Sequence, residues 1–325
     1  MLTHFFVFEY ANGSFFVDFV GFKCHNFCMQ NCNICPRNCN VYRDQKLGFC
    51  GADNNLKIAK VMLHQWEEPL VSGNDKNRGS GAIFFSHCSL KCCFCQNWEI
   101  SNGKGQNATT DDLVDIFKKL EDAGAYNINL VSPTHFTNQI TKALDKYKPN
   151  IPIVWNTSGY ETVQNIQKLK GYVDIFLTDL KYKDPKLSLL FSGAKDYFDF
   201  ASKATLQMIK NQPKDIVKDG ILQKGVIIRH LVLPNFTKDT LDILDWLVQN
   251  VGTKHIISIM SQYLPCYKAQ QNPLLCRKLK PIEYKMVLHH IQSLGFENGF
   301  VQDFESSCKD FIPDFGTTTL KITKK

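Results

Sequence analysis

No stretch of the 325 residues approaches the roughly 18 uninterrupted apolar residues that a membrane-spanning helix needs, so no membrane partner is expected. Residues 1–22 are aromatic-rich, but Glu9 and Asp18 interrupt them and no Lys or Arg precedes Lys23, which makes a poor secretory signal. Internal repeats and low-complexity tracts are absent, and a composition 44% hydrophobic and 21% charged excludes a disordered or fibrous chain. Blocks of like charge are missing too. The 38 Lys and Arg outnumber the 31 Asp and Glu by a net of +7, spread thinly, so a solvated surface explains the excess and nucleic acid is not expected as a main partner. The length suits either two domains of about 150 residues or one larger α/β core with an appendage.

What the chain does have is 13 cysteines, ten of them in the first 95 residues: Cys24, Cys28, Cys32, Cys35, Cys39, Cys50, Cys88, Cys92, Cys93 and Cys95. Cysteines so close in sequence rarely reach good disulfide geometry, and their total is odd. Metal binding in a reducing compartment is the better reading, which places the protein in the cytoplasm.

From residue 81 the pattern becomes regular. Gly81 to Ser86 reads as a strand; Thr109 to Asp112 offer an N-cap and acidic first turn, and Leu113, Ile116, Phe117 and Leu120 follow at helical spacing to a stop at Gly124. Strands at 126–131, 151–155, 172–179, 225–233 and 255–260 alternate with helices at about 136–147, 160–170, up to 212, and 237–250. Six βα units predict a parallel sheet with helices outside, open or partly closed as a barrel, with ligands at the carboxyl ends of the strands. The expected division is a cysteine-rich region over 1–80, a core over 81–296 and an acidic, aromatic tail over 297–325 that packs on the core.

The strand ends are polar: His87-Cys88, Ser132-Pro133-Thr134-His135, Asn156-Thr157-Ser158-Gly159, Asp179-Leu180-Lys181, Arg229-His230 and Ser261-Gln262-Tyr263. Turn chemistry and capping account for Thr157 or Ser158. Lys181 and Arg229 need more, because a cation within an apolar run requires an anion or a cavity beside it.

Directly after the first strand, Cys88, Cys92 and Cys95 form a CxxxCxxC motif with Phe94 before its last cysteine. Three thiolates on one loop can ligate three irons of a [4Fe-4S] cluster and leave the fourth open. Zinc held by these thiols or Cys93 with His87 is the alternative. The loop resembles the signature of the radical SAM superfamily. From about residue 32 to 315 the chain also resembles its pyruvate formate-lyase activating enzyme-related branch, through CPRNC, LGFCGA, GSGAIFFSHCSLKCCFCQNWEIS, NINLVSPTHF, IPIVWNTSGY, DIFLTDLKY, GVIIRHLVLP and ENGFVQDFE.

That resemblance implies a partial (β/α)6 barrel, a [4Fe-4S] cluster, S-adenosylmethionine (SAM), a flavodoxin- or ferredoxin-like electron donor and a protein substrate. It implies Phe94 near the adenine, SAM-side contacts from Asp179, Lys181 and Arg229, with Lys181 and Arg229 as the catalytic candidates, and Asn97 and Thr157 among the cofactor-binding positions. The chain departs from the activases in two places. An Asp-Thr cation pair is replaced by Asn156-Thr157, and a Gly-Gly-Glu motif for the SAM amino group by Ser132 to His135, which brings His135 into consideration as a cofactor contact.

Cys32, Cys35, Cys39 and Cys50 make a second set, suited to a closed zinc site or an auxiliary iron–sulfur cluster. Cys24, Cys28, Cys93, Cys266, Cys276 and Cys308 carry no assigned role. Three function classes follow: a radical SAM enzyme that abstracts hydrogen from a glycine of a partner protein, a radical SAM enzyme acting on a small molecule, peptide or RNA, and a non-enzymatic zinc-binding protein.

Overall fold

The structure is a computed structural model that describes residues 31–304 and residue 315. Cys24, Cys28, Cys308, the segment 1–22 and most of the tail lie outside the described residues. The elements run β1 (Leu56–His64), α1 (Pro69–Ser72), β2 (Ser80–Phe85), α2 (Trp98–Ser101), β3 (Gln106–Ala108), α3 (Thr110–Asp122) and β4 (Ile128–Val131). They continue with α4 (Thr137–Lys146), β5 (Ile153–Thr157), α5 (Val163–Lys168), β6 (Ile175–Asp179), α6 (Pro185–Ser192), α7 (Tyr197–Asn211), β7 (Ile216–Lys218) and β8 (Ile221–Leu231). The last are α8 (Thr237–Asn250), β9 (Ile256–Met260), α9 (Pro281–Leu294) and β10 (Gly299–Val301).

The sheet order is β10-β9-β8-β6-β5-β4-β2-β1-β3. Six neighbouring strands, β2, β4, β5, β6, β8 and β9, are parallel and follow one another in chain order, the arrangement of a partial (β/α)6 barrel. β10 adds a further parallel strand on β9, whereas β1 pairs antiparallel with β2, and β3 with β1. β1 precedes the boundary drawn at residue 80 from the sequence, yet belongs to the same sheet.

Local chemistry explains the helix starts. In α3 the Thr109 hydroxyl accepts from the Asp112 N–H, and the Asp112 carboxylate accepts from the Thr109 N–H, a reciprocal cap that contributes about 1 kcal/mol. Leu113, Ile116, Phe117 and Leu120 then fall on one buried face against the sheet. On the opposite face of the sheet, Val71 of α1 packs with Val154, Ile175, Leu177, Leu222, Ile227 and Ile256, so the segment after β1 fills one end of the barrel interior. Strand ends differ from expectation by a few residues, and the strand expected at 225–233 starts at Ile221, because it pairs with β7 across an Asp219-Gly220 turn in which both residues have positive φ.

Candidate functional site

One cavity of ≈ 240 Å³ gathers Cys88, Cys92 and Cys95, together with Phe94, Asn97, Thr157, Asp179, Lys181 and Arg229. These positions are up to 141 residues apart and meet because parallel strands present their carboxyl ends to the same side. The Ser192 hydroxyl donates to Cys92 Sγ at 2.9 Å and the Leu90 N–H to Cys88 Sγ at 3.5 Å. Backbone bonds from Lys91 to Ser192 and from Cys93 to Phe191 tie the cysteine loop to the end of α6. Phe94 packs edge-on to Tyr182 and Tyr263. Cys93 does not line the cavity; its N–H and carbonyl bond Phe191 and Ala269.

The cations of the site are paired. Arg229 presents three nitrogens to three acceptors: Nε to Asp179 Oδ1 at 2.9 Å, Nη1 to Glu67 Oε2 at 3.0 Å and Nη2 to Asn156 Oδ1 at 2.7 Å. Lys181 donates to the other Asp179 oxygen. Burial acts to raise the Asp179 carboxyl, but the Lys181 and Arg229 cations outweigh it and hold it below its ordinary value. Burial likewise acts to lower Lys181, and Asp179 and Cys92 outweigh it to keep the ammonium charged. Gly159 (φ +78°) allows the chain after β5 to pass under this network, since a Cβ there would lie 2.1 Å from the Asp179 carbonyl oxygen.

Glu67 was not visible as a site residue in the sequence. Its Oε1 accepts from Asn129 and Asn156 at 3.0 Å each, and with His64 and Trp66 it enters the cavity from the segment after β1. Only the antiparallel pairing of β1 brings that segment inside. Glu161, fully buried, was missed as well. Its carboxylate accepts from Thr134, Trp155, Thr157 and Asn165, locking the turns after β4 and β5 beside the cavity.

His135, expected as a candidate cofactor contact, is not among the cavity-lining residues. Its ring is buried beneath the site, with Nε2 at 2.7 Å from the Ser86 carbonyl, and desolvation pushes its pKa down to about 3. It belongs to the scaffold. His230 is similar: Nδ1–H donates to the Leu180 carbonyl, Nε2 pairs with the Thr240 hydroxyl, and burial lowers it to about 4. For a histidine held neutral in the fold, the unfolded chain binds the extra proton first, so stability present above about pH 6.5 is lost as the pH falls towards 4. Urea midpoints are therefore expected to drop between pH 7 and 5, with a shallower slope in His230→Gln; equal slopes would remove His230 from the acid sensitivity.

The donor set fits an iron–sulfur cluster with an open iron. Three thiols share the cavity without a fourth cysteine in its wall, and the buried His64 Nδ1, also at this cavity, has no partner among the described residues. No group of three His, Cys, Asp or Glu among the described residues is placed to hold a single metal ion. A cluster takes one thiolate per iron and does not require that convergence. No helix of the described residues is long and apolar enough to cross a membrane.

Comparison with known proteins agrees with this chemistry. The family model for the radical SAM superfamily matches residues 82–247. An uncharacterized protein of Methanocaldococcus jannaschii is 33% identical over 270 residues, 80% of this chain and 73% of its own length. Among solved structures, Streptococcus suis SuiB bound to its precursor peptide SuiA aligns at 15% identity and a TM-score of 0.45, over 66% of this chain and 46% of that one. HydG, a maturase of the [FeFe]-hydrogenase, aligns at 14% identity and a TM-score of 0.44, over 65% and 48%. The chain thus spans less than half the length of these two structures. The matched core, covering just over half the chain and including the three-cysteine loop, shows that the protein belongs to the radical SAM superfamily, whose members use a [4Fe-4S] cluster and SAM.

Proposed function

We propose that this protein is a glycyl-radical activase-like enzyme that takes a hydrogen atom from a glycine Cα of a partner protein. The observation that carries the reaction class is the meeting of Cys88, Cys92 and Cys95 with the Asp179, Lys181 and Arg229 network in one cavity. The choice of a protein substrate rests on the ordered sequence blocks shared with activating enzyme-related proteins.

Cys88, Cys92 and Cys95 would hold the cluster. When bound, the cluster and SAM would supply one-electron radical chemistry able to remove a hydrogen atom from the substrate, with methionine and 5′-deoxyadenosine as the products. Phe94 contributes an aromatic wall for the adenine and Asn97 a hydrogen-bonding side chain, while Thr157 lines the cavity with its hydroxyl donated to Glu161. Lys181 and Arg229, held in place by Asp179, present N–H donors to which the SAM carboxylate would bind with little rearrangement. A low-potential flavodoxin or ferredoxin would serve as electron donor.

The partner is tested by incubating anaerobically reconstituted enzyme, SAM and dithionite with glycyl-radical enzymes encoded in the same genome. An organic-radical resonance that vanishes when the partner's radical-site glycine is replaced by alanine is expected. SAM cleavage without such a resonance in any of these partners would assign the enzyme another substrate.

A further inference from the structure

Just outside the cysteine loop the chain exposes an apolar patch. Leu189 and Leu190 on α6 are 53% and 59% exposed, and Leu47 and Phe49, between Cys39 and Cys50, are 55% and 44% exposed. Large apolar side chains left in water forgo the gain of burial, which on α6 goes to Phe191. Arg37 joins the two halves of the patch: its Nη1 donates to the Gly193 carbonyl at 2.7 Å, its Nε to the Ser89 carbonyl at 2.8 Å, and its Cζ lies 3.8 Å from the centre of the Phe49 ring. The Phe49 N–H in turn donates to Cys39 Sγ at 3.2 Å, while Cys32, Cys35 and Cys50 of the same set are buried.

Positive charge surrounds this patch. Lys46, Lys91, Lys186 and Lys195 are exposed in the same segments, and none pairs with a carboxylate among the described residues. Arg37 adds a cation bonded to carbonyls and not to carboxylates. These cations outnumber Asp44, Asp184 and Asp196, of which Asp184 accepts from the Lys186 N–H and Asp196 from the Tyr160 hydroxyl. An apolar centre with a charged rim is the pattern of a transient interface, in which charge speeds encounter.

The end of α6 reaches the cysteine loop. Ser192, two residues after Leu190, donates its hydroxyl to Cys92 Sγ at 2.9 Å; its carbonyl accepts from Lys91, and the Phe191 carbonyl from Cys93. One helical turn thus joins the exposed leucines to a thiol that would hold the cluster. Leu47, Phe49, Leu189 and Leu190 do not line the cavity. A substrate must enter the cavity, whereas an electron needs only a short path to Cys92.

We propose that Leu47, Phe49, Leu189 and Leu190, with their lysine rim, form the docking surface for an acidic one-electron donor protein, a flavodoxin or ferredoxin. One electron leaves the reduced donor, which is oxidised, and enters the cluster at Cys88, Cys92 and Cys95, which is reduced from the 2+ to the 1+ state; no bond is made or broken. This surface rests on the cluster chemistry of the proposed function and not on the partner's glycine.

The test compares two reductants on the same holoenzyme. SAM cleavage is driven either by dithionite, which needs no docking, or by a prereduced flavodoxin or ferredoxin of strongly negative net charge. In Lys186→Glu/Lys195→Glu and in Leu190→Asp, the protein-driven rate is expected to fall about tenfold while the dithionite rate stays close to wild type. Calorimetric titration with the oxidised donor should show binding weakened by a similar factor. Raising the ionic strength from about 20 to about 300 mM should slow the protein-driven reaction of wild type far more than the dithionite reaction. Lys285→Glu, exposed on α9, should alter neither rate. Unchanged donor-driven rates and affinities in both surface variants would overturn the proposal, as would equal losses with both reductants, or a wild type that dithionite reduces and neither protein donor does. A wild type inactive even with dithionite would refute the reaction class, and the titrations would then decide the surface by themselves. Donor effects as expected, with no glycyl radical formed, would count against the substrate alone.

Discussion

Cys92→Ala is expected to abolish 5′-deoxyadenosine formation, a loss of about a thousandfold or more, because ligands of one cluster act as a unit. Cys93→Ala, one residue away, should leave the rate close to wild type, since Cys93 does not line the cavity and its recorded hydrogen bonds run through its backbone. The two adjacent thiols thus separate cluster ligation from local packing. Product quantified after dithionite addition decides between them, and equal losses would contradict the ligand assignment.

The second large effect is on stability. Arg229→Met is expected to cost about 3–5 kcal/mol, because it leaves the largely but not fully covered Glu67 carboxylate without its cation and Asp179 with Lys181 alone. Arg229→Lys should recover only part of that, since one ammonium cannot fork to Asp179, Glu67 and Asn156 as the guanidinium does. Adding Glu67→Gln to Arg229→Met should restore some stability by removing the uncompensated charge, a non-additivity measurable in a double-mutant cycle from denaturant midpoints. Strict additivity would show that Glu67 and Arg229 do not interact in the folded protein.

Much of this site was readable from local pattern. The CxxxCxxC spacing, the polar strand ends and the Thr109 cap depend on residues close in sequence, and the parallel order follows from the βα alternation. Lys181 and Arg229 were identifiable because cations inside apolar runs demand partners, and Asp179 through the family resemblance.

Glu67 and His64 were hidden for the opposite reason. Nothing within residues 56–68 announces that β1 runs antiparallel to β2 and turns its following segment into the barrel, since that pairing joins strands across the intervening α1. The β7–β8 hairpin left a signal in Asp219-Gly220, but β7 has only three residues and is exposed along its length, so hydrophobic alternation was too short to mark it. His135 misled in another way. A histidine at a strand end fits both a ligand and a buried scaffold group, and only its bond to the Ser86 carbonyl separates them.

The Cys88–Cys95 loop is proposed to hold a cluster with an iron open to SAM. Its most direct test is the Cys35→Ala protein, reconstituted anaerobically, reduced with dithionite and observed by electron paramagnetic resonance before and after SAM addition. A reduced-cluster resonance that changes on adding SAM is expected, followed by methionine and 5′-deoxyadenosine in equal amounts. A fully assembled, reduced cluster whose resonance is unaltered by SAM, with SAM recovered intact, would contradict it.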